Sequence, residues 1–147
     1  MAQILLCDDG SESAARAVRE AAPLVAGREA LVLYVWQSVA AYHLATLGGV
    51  AALPPDVDQK MAVAAADSAE QGAARAREAG FDATPLPVQA IGPVWQAIVD
   101  VAREHDVDLI VMGARGVTGV QRVLLGSVSE RVTRYADRPV LVMHPRA

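Results

Sequence analysis

Between residues 113 and 127 the chain reads Gly113-Ala-Arg115-Gly116-Val-Thr-Gly119-Val-Gln-Arg122-Val-Leu-Leu-Gly126-Ser127, four glycines ahead of a serine placed to start a helix. Glycines let a backbone approach a phosphate closely and adopt positive φ, and the first amides of a helix aim free N–H donors, reinforced by the helix dipole, at an anion. The amides of Ser127, Val128 and Ser129 are the candidate donors, with the Ser127 hydroxyl beside them. Arg115 and Arg122 either bring full charge to a polyphosphate or stay solvated on the surface. Gly113 and Gly116 taken singly could merely turn the chain. Four glycines at a set distance from a helix-starting serine favour an anion site.

A second polar stretch, Asp8-Asp9-Gly10-Ser11, follows the apolar run Ile4-Leu5-Leu6-Cys7. Alone it reads as a turn and a helix cap. Its meaning depends on the elements around it. Helical spacing begins at Ser11 (Ala14, Val18, Ala21), and Leu31 to Val35 is continuously apolar, as in a strand buried on both faces. Residues 37 to 58 carry no sustained period, with Gly48-Gly49 and Pro54-Pro55 inside them, and read as an irregular connection holding at most one short helical turn. Residues 58 to 79 suit a long helix closed by Gly80. Thr84 to Ala90, broken by Pro85 and Pro87, suits an edge strand. Gly92-Pro93 opens a further helix, Asp108 to Met112 is the fourth strand, Ser127 starts a helix with Glu130 at capping-box spacing, and Pro139 to Met143 is the last strand. Strands alternating with helices imply right-handed crossovers. The expected fold is α/β, an open doubly wound five-stranded parallel sheet of order 3-2-1-4-5 with helices on both faces, in a single domain over residues 1 to 147. In that order strands 1 and 4 are neighbours where the winding reverses, so the two loops face one crevice. Asp9 then reaches a ribose, base or bound cation while the glycine loop holds phosphates. Asp8 reads as a solvated loop residue.

Other chemistries are disfavoured. The Walker pattern is absent, and the chain's single lysine is Lys60; the first strand turn also lacks the Gly-x-Gly-x-x-Gly dinucleotide fingerprint. Cys7 lies in an apolar strand without a supporting His or Asn and reads as a small buried hydrophobe. His43, His105 and His144 are scattered without metal-ligand spacing, so no metal cage is expected. Thirteen Lys plus Arg against 17 Asp plus Glu leave a net charge of −4, which disfavours nucleic acid and anionic membranes as partners. No apolar run reaches the roughly 20 residues of a membrane span, and one cysteine with no leader-like segment suggests the cytoplasm.

The pattern Gly-x2-Gly-x9-Gly-Ser, here Gly113, Gly116, Gly126 and Ser127, resembles the ATP-binding motif of universal stress proteins. Asp9-Gly-Ser-Glu12 resembles that family's first turn, and Gly126-Ser-Val-Ser-Glu-Arg-Val and Pro139-Val-Leu-Val resemble its closing helix and strand. The resemblance spans nearly the whole chain except residues 37 to 60, whose role it leaves open. It implies that Asp9 contacts the nucleoside end and Val35 offers its backbone to adenine. It further implies that Gly113, Gly116, Gly126, Ser127 and Val128 hold ribose and phosphates, with Arg115 as a candidate beside them and Mg²⁺ accompanying the ATP. It also implies a homodimer through Val140 to Met143, an apolar edge that would otherwise invite aggregation. Where many members carry apolar or small residues, this chain has Cys7-Asp8. The function implied is that of an ATP-binding stress-response regulator whose occupancy alters conformation or binding of an unidentified protein partner. The alternatives are a slow Mg-dependent ATPase and a sensor of AMP or a cyclic nucleotide.

Overall fold

The computed structural model of the chain describes residues 3–48, 53–114 and 125–146. Five parallel strands, β1 (Gln3–Cys7), β2 (Glu29–Gln37), β3 (Asp82–Ala90), β4 (Leu109–Gly113) and β5 (Val140–Met143), form one sheet of order β3-β2-β1-β4-β5, the order expected from the alternating pattern. Helices α1 (Glu12–Val25), α2 (Val39–Leu47), α3 (Val57–Glu78), α4 (Val94–Glu104) and α5 (Ser127–Tyr135) connect them.

Strand geometry sends successive side chains to opposite faces. On β1, Ile4 and Leu6 pack with Val18 of α1, Ala73 and Ala76 of α3, and Phe81. Leu5 faces the other way, onto Ile98 and Val101 of α4 and Val132 of α5. Both faces are covered, so the central strands are apolar throughout. Helix α3 turns Ala65, Ala69, Gly72, Ala73 and Ala76 inward, a stripe of small side chains that lets 22 residues lie close against the sheet. Pro85 and Pro87 lie on β3, which is an edge strand, where a residue without an N–H can face outward.

The connection after β2 differs from its expectation. The strand runs on to Gln37, and a nine-residue helix, α2, follows where a single turn was expected. Buried Ser38 caps it: its Oγ accepts the Ala41 N–H at 2.9 Å and donates to Asp58 Oδ2 of α3 at 2.5 Å. Tyr42 and Leu44 are exposed, so the apolar residues of α2 do not segregate to one face and leave no periodic trace.

Candidate functional site

Strands β1 and β4 are central neighbours, paired from Ile4 and Leu109 to Leu6 and Val111, and successive connections leave them in opposite directions. A cavity of about 300 Å³ opens over their carboxyl ends. One wall is the aspartate turn. The Asp8 N–H continues the ladder by donating to the Leu33 carbonyl at 2.9 Å, Gly10 takes φ 79°, and Ser11 caps α1 by accepting the Ala14 N–H at 3.1 Å. Only glycine holds that φ without strain, so the chain can fold back at once into α1. Asp9 is exposed at the cavity, one carboxylate oxygen accepting the Ser11 N–H at 2.9 Å.

The facing wall is the start of α5. The Ala114 carbonyl, one residue past β4, accepts the Gly126 N–H at 2.6 Å and the Ser129 hydroxyl at 2.9 Å, so the two ends of the glycine segment are pinned together. Gly126 is the N-cap, extended at φ −60° and ψ 159°, and the first intrahelical bond runs from the Glu130 N–H to the Gly126 carbonyl at 2.9 Å. The amides of Ser127, Val128 and Ser129 precede that bond and have no intrahelical acceptor. Among the described residues none accepts a bond from them. Ser127 is exposed and is the first helical residue, so the expected capping box is corrected: Glu130 pairs with Arg134 at 3.0 Å.

Asp9, Val35, Gly113, Gly126, Ser127 and Val128 all border this one cavity, whose apolar side is built from Leu33, Val94, Ile98 and Met112. Arg115, Gly116, Gly119 and Arg122 lie outside the described residues. Two side-chain roles escaped the sequence reading. Ser129, 2% exposed, fastens the helix start to β4 through its side chain. Asp8 is 5% exposed rather than solvated: its carboxylate accepts from Arg75 Nη2 of α3 at 2.8 Å and from the Gly10 N–H at 2.7 Å. Cys7 also borders the cavity. Its thiol is pushed up to about 12, first by burial and then by the Asp9 and Asp8 carboxylates, so it stays protonated and is no nucleophile at neutral pH. Among the described residues no group of three or more His, Cys, Asp or Glu could hold a metal ion, and no helix is long and apolar enough to cross a membrane.

A model described as the universal stress protein family matches residues 1–144. The chain belongs to the universal stress protein family. A universal stress protein of Thermus aquaticus is 34% identical over 142 residues, covering 95% of this chain and 96% of that protein. The universal stress protein MJ0531 of Methanocaldococcus jannaschii is 56% identical over 46 residues, a match that spans 31% of this chain and 27% of that protein. The solved structure of MJ0577, a universal stress protein from the same organism, superposes with a TM-score of 0.77 at 26% identity, covering 99% of this chain and 97% of that one. The fold and strand order are those of this family's structures.

Proposed function

We propose that the protein binds ATP in the cavity between the aspartate turn and the start of α5, and that occupancy changes the conformation or partner preference of a homodimer in the cytoplasmic stress response. One observation carries the reading: three helix-start amides without described acceptors border the same cavity as Asp9. Amides in that position donate to anionic oxygens without the charge of a lysine. The apolar side, with Val35 and Ile98, suits the faces of an adenine ring. Asp9 then takes the nucleoside end, and Gly113, Gly126, Ser127 and Val128 take ribose and phosphates, completed by Gly116 and Arg115 from the segment between β4 and α5. Mg²⁺ fits as a companion of the phosphates rather than as a resident of the protein. It keeps several waters and needs only one or two carboxylates when phosphates supply the rest, and it neutralises charge on the triphosphate.

Mass spectrometry of ligand released from the purified protein is the direct test, with ATP the expected occupant and AMP or a cyclic nucleotide the competing results. Gly116→Val is expected to cut ATP affinity by roughly tenfold or more while the circular dichroism spectrum is unchanged, because a branched side chain blocks backbone approach to phosphate. Unaltered affinity in that variant would refute the placement of the phosphates. Binding is favoured over turnover because phosphoryl transfer also needs an oriented water, and the Asp8 carboxylate is already taken by Arg75 and the Gly10 N–H, which leaves Asp9 as the one candidate of the aspartate turn. Phosphate release that falls in Asp9→Asn at saturating ATP would favour a slow ATPase instead.

A further inference from the structure

Asp8 borders the cavity, and its carboxylate is engaged on the α3 side of the sheet. It follows Ile4 and Leu6 to the face of the sheet covered by α3. There its carboxyl group is 3% exposed and makes two bonds: Oδ2 accepts from Arg75 Nη2 at 2.8 Å, and Oδ1 accepts the Gly10 N–H at 2.7 Å. The helix is shaped for that contact. A Cβ at Gly72 would collide with Asp8 Oδ2 and stand 3.0 Å from Val32 Cγ1, so glycine at this point of α3 is what lets the carboxylate sit beneath Arg75.

We propose that Asp8 and Arg75 are positioning residues for nucleoside binding: the ion pair ties the aspartate turn to α3 and thereby sets where Asp9 stands against the cavity. The proposal rests on the reading that the nucleoside end of ATP lies at Asp9. A buried carboxylate keeps its charge only if paired and hydrogen-bonded, and both of its partners are fixed in place. Arg75 comes from a 22-residue helix, and the Gly10 N–H belongs to the turn itself. The pair lies across the sheet from the apolar side of the cavity, so it acts through the backbone of Asp8 and Asp9 and not by touching ligand. The phosphate end, held by the start of α5, has no part in it.

This separation gives the test. Calorimetry with ATP and with inorganic tripolyphosphate is run on the wild type, Asp8→Ala, Arg75→Met and Arg75→Lys, beside amide exchange of Gly10 measured by NMR in the ligand-free protein. In Asp8→Ala and Arg75→Met we expect ATP affinity to fall about tenfold, tripolyphosphate affinity to hold, and Gly10 exchange to accelerate by a similar factor; Arg75→Lys should restore most of each. Should either variant fail to fold, the double variant Asp8→Asn with Arg75→Met removes the buried charge with its partner and takes its place. Equal weakening of ATP and tripolyphosphate, or unchanged Gly10 exchange in a folded variant, would overturn the proposal. A wild-type protein that binds neither ATP, AMP nor a cyclic nucleotide would sink the nucleotide reading and the nucleoside role with it, and Gly10 exchange would still decide whether the pair holds the turn.

Discussion

Cys7 and Ser129 show how single residues at this cavity can be tested, the first without reference to any ligand. Burial, then Asp9 and Asp8, raise the Cys7 thiol from an ordinary 9.0 to about 12. Below pH 9 the thiol is protonated in both the folded and unfolded chain, and its contribution to stability is fully present. As pH climbs from 9.0 toward 12 the unfolded chain gives up the proton while the folded one keeps it, so stability falls across that window. Urea denaturation between about pH 9 and pH 11 should therefore show a loss that Cys7→Val removes, and a slope identical in both proteins would contradict the burial. Ser129 differs, because its worth lies in a single hydroxyl proton shared between the carbonyls of Ala114 and Gly126, at 2.9 and 3.0 Å. Ser129→Ala is expected to cost about 1–2 kcal/mol of stability. It should also weaken tripolyphosphate as much as ATP, the opposite of the pattern expected at Asp8, and calorimetry separates the two.

At the scale of elements, α3 carries the contact on which the aspartate turn depends. Gly72→Ala gains about 1 kcal/mol of helix propensity. It also displaces Asp8 from Arg75, and separating a buried charge from its partner costs about 3–5 kcal/mol when both are buried. Arg75 is 38% exposed, so solvent screens part of that cost, and a net loss of roughly 1–3 kcal/mol is expected. In an Asp8→Ala background the main clash disappears and only Val32 remains tight, so the same substitution should cost much less, which a double-mutant cycle by urea denaturation measures. Nothing near Asp8 in sequence announces this arrangement, because Arg75 lies 67 residues away. The strands were legible for the opposite reason. Leu31 to Val35 and Leu109 to Met112 are covered on both faces and must be apolar throughout, a local property of the chain. That the aspartate turn and the start of α5 share one cavity was legible too, since a parallel sheet with these crossovers brings strands 1 and 4 together. Helix α2 was not, because its start is set by the tertiary bond from Ser38 to Asp58 and its apolar residues lack a period.

For the whole molecule the open question is what covers the β5 edge. Among the described strands β5 is paired with β4 alone, and its residues Val140 to Met143 are all half-buried in the isolated chain. The Ile110 N–H donates to the Pro139 carbonyl at 2.9 Å and the Ala114 N–H to the Met143 carbonyl at 3.0 Å. By the alternation of a parallel ladder, Leu141 and Met143 point their backbone groups inward to β4, while Val140 and Val142 point theirs outward. In the homodimer proposed above, a second copy related by a two-fold axis would satisfy that outward row with its own. Val142→Pro is the sharpest probe. It removes an outward donor and leaves the bonds to β4 in place, since proline is tolerated where a strand faces no partner. The variant is expected to keep its circular dichroism spectrum and to elute as a monomer in light-scattering chromatography where the wild type elutes as a dimer. Pro substitution at Leu141 instead removes an inward donor, so that variant should lose stability as well as assembly. A Val142→Pro protein that remains dimeric would place the contact on another surface, with the β5 edge left to solvent.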